Sequence, residues 1–316
     1  MPIELLQTGP LVPALEAALA QRYRVTRLWE QPDPLAFAAA QGVRFSAIAS
    51  SAAVGFGAGL LPHLPQLRVV SSYGVGLDQL PVAELHARGI ALATTSGVLD
   101  DCVADAAWAL LLAVARRVVQ ADAYVRAGQW AQDGINRFAL GRRVSGARLG
   151  VVGLGRIGQV VAKRASGFDM RVAYHSRRPV PDVPWRYEAD LCALARSSDF
   201  LVVITAGGPG TQHLINAQVL DALGPRGFLI NVARGSVVDE AALLLALQEG
   251  RIAGAGLDVF DHEPAISPAL RNAPRTVLLP HIASATEETR AAMAERVVEN
   301  LEAFWATGQV LTPVLA

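Results

Sequence analysis

Short apolar runs alternate with helix-spaced segments through the first hundred residues. Ile3–Leu6, Arg44–Ser50, Leu67–Ser72 and Ile90–Ala93 read as strands, and Leu11–Arg22 and Pro81–Arg88 space their apolar positions as helices do. This alternation predicts a small parallel α/β unit. Residues 52–64, AAVGFGAGLLPHL, are glycine-rich, but the spacing is wrong for a phosphate loop and Pro62 and Pro65 close the stretch off. A loop with a short helix is expected there. One long helix is predicted from about Asp101 to Ala127, with Asp100 or Asp101 accepting from its first-turn N–H groups and Gly128 stopping it. Residues 129–146 lack clean periodicity and read as an irregular polar arm.

From Arg148 the alternation becomes regular. Candidate strands are Arg148–Val152, Arg171–His175, Phe200–Thr205, Phe228–Val232, Gly254–Phe260 and Thr276–Leu279; helices are expected at Ile157–Ser166, Asp190–Ala195, Asn216–Ala222 and Glu240–Glu249. Six apolar strands with helical crossovers describe a doubly wound sheet buried on both faces. A last helix, Glu287–Ala306, is expected to return to the first unit. The predicted division is therefore 1–99 with 288–316 as one discontinuous domain and 100–287 as the other, with hinges near Leu99–Asp101 and Ala285–Thr289.

Composition narrows the function classes. Of the 316 residues, 52% are hydrophobic and 18% charged, which excludes general disorder. Lys+Arg 28 against Asp+Glu 28 gives zero net charge and argues against a nucleic-acid partner. The most apolar run, Ala106–Ala115, falls well short of the roughly 20 residues that a membrane span needs. Cys102 and Cys192 cannot form a disulfide scaffold or a four-thiolate zinc site, and MPIELLQTGP does not look like a secretory signal. His63, His86, His175 and His213 lack metal-ligand spacing, so no metal is expected. A serine hydrolase is unsupported, since no G-x-S-x-G occurs. These readings point to a soluble, cytoplasmic, globular protein.

The strongest local signal is Leu149–Gly158, LGVVGLGRIG. A lone G-x-G-x-x-G is weak, but this one follows an apolar strand and opens a helical pattern. Gly153 permits the tight turn, Gly155 lets the backbone approach a pyrophosphate, and Gly158 lets the helix pack closely. The N–H groups around Arg156 and Ile157 then favour the phosphates. NAD sites usually present a carboxylate at the end of the second strand. Here that strand ends in Ser176-Arg177-Arg178. Two guanidiniums and a hydroxyl suit a 2′-phosphate. Two loop arginines could equally be solvated charge, but the missing acid favours NADP(H), with NAD(H) possible.

Three later segments carry chemistry: Asn231–Gly235 with Arg234, Leu257–Pro264 with Asp258 and Glu263, and Pro280–Thr286 with His281. Each lies at the end of a predicted strand, where ligands gather in doubly wound folds. They supply a cation for a carboxylate, an imidazole able to give or take a proton, and an acid to pair with it. His262 is read as solvent-facing.

With these motifs in order, the sequence resembles the D-isomer-specific 2-hydroxyacid dehydrogenase family, from the Gly74–Asp78 loop to the C-terminal helix. It looks like the hydroxypyruvate/glyoxylate reductase branch and is most similar to the NADPH-preferring hydroxyphenylpyruvate reductases. The resemblance implies a Rossmann doubly wound sheet inserted into a smaller flavodoxin-like α/β substrate domain, with the site in the cleft between them. It implies reduction of a 2-keto acid to the D-2-hydroxy acid, with His281 as general acid, Glu263 as its partner and Arg234 on the substrate carboxylate. It also places the N–H groups of Val75 and Gly76 on that carboxylate and Asp258 on the nicotinamide carboxamide. Thr205, Ala206, Ala233 and Ala283 are then expected along the cofactor. Formate dehydrogenases of this family carry Gln in place of the acid, so Glu263 counts against that activity. A homodimer is implied, with helix Val103–Ala115 and the arm at 129–146 as interface. Two alternatives stay open: an NAD-linked dehydrogenase working oxidatively, and a dinucleotide-sensing corepressor-like scaffold.

Overall fold

The computed structural model describes residues 3–315 in two compact units. One runs to Leu99 and resumes at Ala285; the other is Asp100–Ser284. The first is a five-stranded parallel sheet of β1 (Glu4–Gln7), β2 (Arg24–Arg27), β3 (Ala47–Ser51), β4 (Val69–Tyr73) and β5 (Ala91–Ala93), ordered β2-β1-β3-β4-β5. Leu6, Ile48, Val70 and Leu92 share one face, and pack with Leu60, Leu64 and Leu85. On the strands between, Ser71 donates to the Val297 carbonyl of the helix Glu287–Thr307 at 3.1 Å. Sequence reading misses β2 because Arg-Val-Thr-Arg has no apolar face. As an edge strand it carries charge instead, which discourages pairing with another chain.

The second unit holds seven parallel strands rather than the six expected: β6 (Arg148–Val152), β7 (Arg171–His175), β8 (Arg186–Tyr187), β9 (Phe200–Val203), β10 (Phe228–Asn231), β11 (Gly254–Leu257) and β12 (Thr276–Leu278). Their order is β12-β11-β10-β9-β6-β7-β8. The chain leaves β6 toward β7 on one side and returns to β9 on the other, so the switch point falls at β6. Leu201, Leu229 and Leu257 pack with Leu220, Leu243 and Leu247 on one face. The helix Asp100–Arg116 contributes Leu110, against which Gly256 lies so closely that an added Cβ would sit 3.0 Å from the Leu110 Cβ.

The single helix expected over 101–127 is broken. It ends at Arg116, Arg117 turns left-handed at φ 58°, and a separate helix runs Val118–Arg126. The cause is tertiary. Arg142 donates its N–H to the Ala115 carbonyl at 2.7 Å, and Gly141 passes that oxygen so closely that a Cβ would lie 2.7 Å away. Gly128 is left-handed at φ 72°, and the arm begins with a short helix, Gln129–Asp133, before becoming irregular. Among the described residues no acidic, His or Cys group could hold a metal ion, and no helix is long and apolar enough to cross a membrane.

Candidate active site

The glycine loop after β6 is shaped by close backbone approach. Gly153 adopts φ 98° and donates its N–H to His175 O at 2.8 Å; a Cβ there would lie 2.8 Å from the Thr205 backbone. Gly158 comes so near the Gly153 carbonyl that a Cβ would sit 2.1 Å from it. Gly155 is different, since a Cβ there would meet nothing within 4 Å. It precedes the helix Arg156–Arg164 and supplies no side-chain cap. The first turn of that helix therefore has no side-chain cap, and the space beside Gly155 is open, as a bound phosphate requires. A dinucleotide pyrophosphate fits this cradle. The Arg156 side chain turns to Asp100 at 3.1 Å. Ala206 is exposed, and its carbonyl accepts from the Thr211 hydroxyl.

At the end of β7 the Ser176 hydroxyl, expected to face a phosphate, donates to the Arg178 carbonyl at 2.6 Å and closes the turn. Arg177 and Arg178 are exposed, and neither guanidinium has an ion-pair partner among the described residues. The turn after β7 therefore offers unneutralised positive charge.

The remaining groups are set at the ends of β10, β11 and β12. Buried Asn231 ties the first turn: its Oδ1 accepts from Ala233 N and its Nδ2 donates to Arg234 O, both at 3.0 Å. Gly235 then presses on the next loop, where a Cβ would fall 1.8 Å from the Phe260 carbonyl carbon. Any side chain at 235 would push the Arg234 turn away from the segment carrying Glu263. Within that segment Glu263 Oε1 accepts from Phe260 N at 2.9 Å, while Oε2 lies 2.7 Å from His281 Nδ1. Burial pushes the Glu263 carboxyl up, but the His281 and Phe260 hydrogen bonds and the nearby positive charges of His281 and Arg234 outweigh it. The carboxyl is held below its ordinary range.

His281 itself sits in left-handed backbone at φ 54°. Asp258 holds it there. The His281 N–H donates to the Asp258 carbonyl at 2.9 Å, and the Ile282 and Ala283 N–H groups each reach one carboxylate oxygen at 2.8 Å. Asp258 is fully buried, and burial raises its pKa despite these two hydrogen bonds. Both carboxylate oxygens of Asp258, the residue expected near a carboxamide, thus accept from the His281 loop. Asn231, Gly235 and this grip of Asp258 were not assigned roles from sequence, although all lie within the motifs. His262 is 84% exposed. Val75 and Gly76 lie in the first unit after β4, where Gly74 exchanges bonds with Thr95, its N–H reaching the hydroxyl at 3.1 Å and its carbonyl accepting from the Thr95 N–H at 3.0 Å.

Comparison with known proteins finds relatives over the full length of the chain. A plant hydroxyphenylpyruvate reductase, from Plectranthus scutellarioides, is 44% identical over 313 residues, covering 99% of each chain. A 2-ketogluconate reductase of Gluconobacter oxydans is 44% identical over 312 residues, covering 99% of this chain and 98% of the relative. The crystal structure of an NADPH-dependent glyoxylate/hydroxypyruvate reductase from Sinorhizobium meliloti, in complex with NADP and malonate, superposes with a TM-score of 0.92 at 42% identity, covering 99% of this chain and 97% of that one. The NAD binding domain of the D-isomer specific 2-hydroxyacid dehydrogenases matches residues 108–283, more than half of the sequence. On that match and those full-length relatives, the chain belongs to the D-isomer-specific 2-hydroxyacid dehydrogenase family of oxidoreductases.

Proposed function

We propose that the protein reduces a 2-keto acid to the D-2-hydroxy acid with NADPH. The observation that carries this reading is the 2.7 Å contact of His281 Nδ1 with Glu263 Oε2, next to the turn that presents Arg234. A reduced nicotinamide, when bound, supplies the hydride. The Glu263 carboxylate fixes the imidazole ring by its Nδ1 edge and leaves Nε2 to give its proton to the keto oxygen as the carbonyl carbon is reduced. The imidazole is then neutral and recovers a proton from solvent. The Arg234 guanidinium binds the substrate carboxylate through paired charge-assisted hydrogen bonds and faces the oxygen where negative charge develops. Asp258 keeps His281 in place through three consecutive N–H groups.

The cofactor assignment rests on the charged, carboxylate-free turn at Ser176–Arg178. The similar Sinorhizobium meliloti enzyme is NADPH-dependent. The test is a kcat/KM panel of glyoxylate, hydroxypyruvate, arylpyruvates and 2-ketogluconate with both cofactors, in wild type and Arg177→Asp. Wild type is expected to favour NADPH. Losing one charge-assisted phosphate contact and gaining a repulsive one should lower the NADPH kcat/KM about 10- to 100-fold. Unchanged NADPH kinetics in that variant would remove the arginine turn from the cofactor site.

A homodimer fits the surface. The helix Val103–Ala115, expected at the interface, buries Val103, Trp108, Leu110, Leu111 and Val114 within its own unit. The exposed apolar surface lies just beyond it: Val118, Val119, Val125 and Trp130 are each about half exposed, while Ile135 and Leu140 are 78% and 95% exposed. Six exposed apolar side chains within residues 118–140 support an association surface there. Sedimentation velocity should show a dimer that Leu140→Asp weakens; a monomer at micromolar concentration would contradict it.

A further inference from the structure

The turn that carries Arg177 and Arg178 is fastened by side chains beneath it. Tyr187 donates its hydroxyl to the Ser176 carbonyl at 3.2 Å, and the Ser176 hydroxyl donates to the Arg178 carbonyl. Two residues on, the Val180 N–H donates to the Tyr174 hydroxyl at 2.9 Å, and that hydroxyl donates back to Val180 O at 3.4 Å. Tyr174 and Tyr187 are register partners on β7 and β8, with ring centroids 5.5 Å apart. Tyr174 is 1% exposed, while Tyr187 is half-buried on a two-residue edge strand. β8 is too short to add much to the sheet. Its placement gives the chain a hydroxyl at the base of the arginine turn.

This arrangement has two electrostatic consequences. The Ser176 and Arg178 carbonyls are occupied by hydroxyl donors, so their partial negative charge is not presented to an anion. The backbone beneath the guanidiniums is also already ordered, so gripping a phosphate costs less conformational entropy than it would on a free turn. We propose that Tyr187, backed by Tyr174, is a positioning residue that sets the discrimination between a 2′-phosphorylated dinucleotide and its unphosphorylated counterpart. The inference rests on the NADP(H) reading above and adds residues that never touch the phosphate.

The test is calorimetric titration of the full-length protein and Tyr187→Phe with NADPH, NADH and adenosine 2′,5′-bisphosphate. Phe keeps the ring against Tyr174, so the strand pairing survives; a circular dichroism melt checks this. The Kd for NADPH and for the bisphosphate should each rise about 3- to 10-fold, the size of one ordinary hydrogen bond, while the NADH Kd holds within about 2-fold on the same reasoning. If all three ligands weaken equally, or none does, while wild type still prefers NADPH, the positioning role is overturned alone. If wild type binds NADH as tightly as NADPH, the cofactor reading fails and takes this inference with it.

Discussion

Replacing His281 with Asn is expected to lower kcat about 10²- to 10⁴-fold, the range typical of a lost general acid, while NADPH still binds. Asn is the informative substitution because residue 281 sits at φ 54°, a region that Asn tolerates better than most residues. The loop can then keep its three N–H bonds to Asp258. The amide cannot deliver a proton. The substitution also removes both contributions of His281 that lower the Glu263 pKa, leaving burial a larger share. In the wild type, the stabilisation from the Glu263 carboxylate is fully present above its ordinary value of 4.5 and is lost as pH falls through the lower folded value. The variant should lose less stability across that acidic window. Steady-state kinetics, cofactor titration and urea unfolding between pH 3 and 6 check the three parts. A variant that keeps kcat within about tenfold of wild type, below the range for a general acid, would assign the proton to another group.

Arg234 carries the second large effect. Arg234→Lys preserves the charge but replaces a planar fork with a point charge, so in the proposed role one of two parallel bonds to the substrate carboxylate would be lost. A charge-assisted hydrogen bond is worth roughly 1.5–3 kcal/mol, which predicts a fall in kcat/KM of about 10- to 150-fold. Arg234→Ala should fall further, with kcat down about 10²- to 10³-fold as well, if Arg234 faces the developing alkoxide as proposed. The division between KM and kcat tells the two roles apart. A rise in KM alone would mean that Arg234 only binds; a fall in kcat at saturating keto acid means that it also stabilises the transition state.

Much of this was legible from pattern. β6 and β7 occupy the residues expected of them because their apolar runs are bounded by clear breaks, and the family motifs fall at successive strand ends. The misses share physical causes. β2 and β8 are short edge strands without an apolar face, so periodicity cannot show them. The break at Arg117 depends on Arg142 reaching the Ala115 carbonyl, a contact with no local signal. The apolar helix Val103–Ala115 reads equally well as interface or core; the packing of Trp108, whose indole N–H reaches Val161 O and whose ring stacks on Phe168, shows that one face of it is core. The turn that the Ser176 hydroxyl closes is likewise a matter of backbone geometry that composition does not show. Glu263 and His281 lie 18 residues apart in sequence. Motif order names them, while the contact itself requires Gly235 and Asp258 to position both loops.

The most direct test of the central claim is to follow the hydride. The protein is incubated with its fastest 2-keto acid and NADPH deuterated at both C4 positions, and the hydroxy acid is analysed by mass spectrometry and chiral chromatography. With any panel keto acid other than glyoxylate, whose product has no D or L form, one deuterium at C2 of a D-configured product, equal in amount to the NADPH consumed, is the expected result. An L-configured or unlabelled product, or a folded protein that binds NADPH yet oxidises none with any keto acid of the panel, would contradict the account.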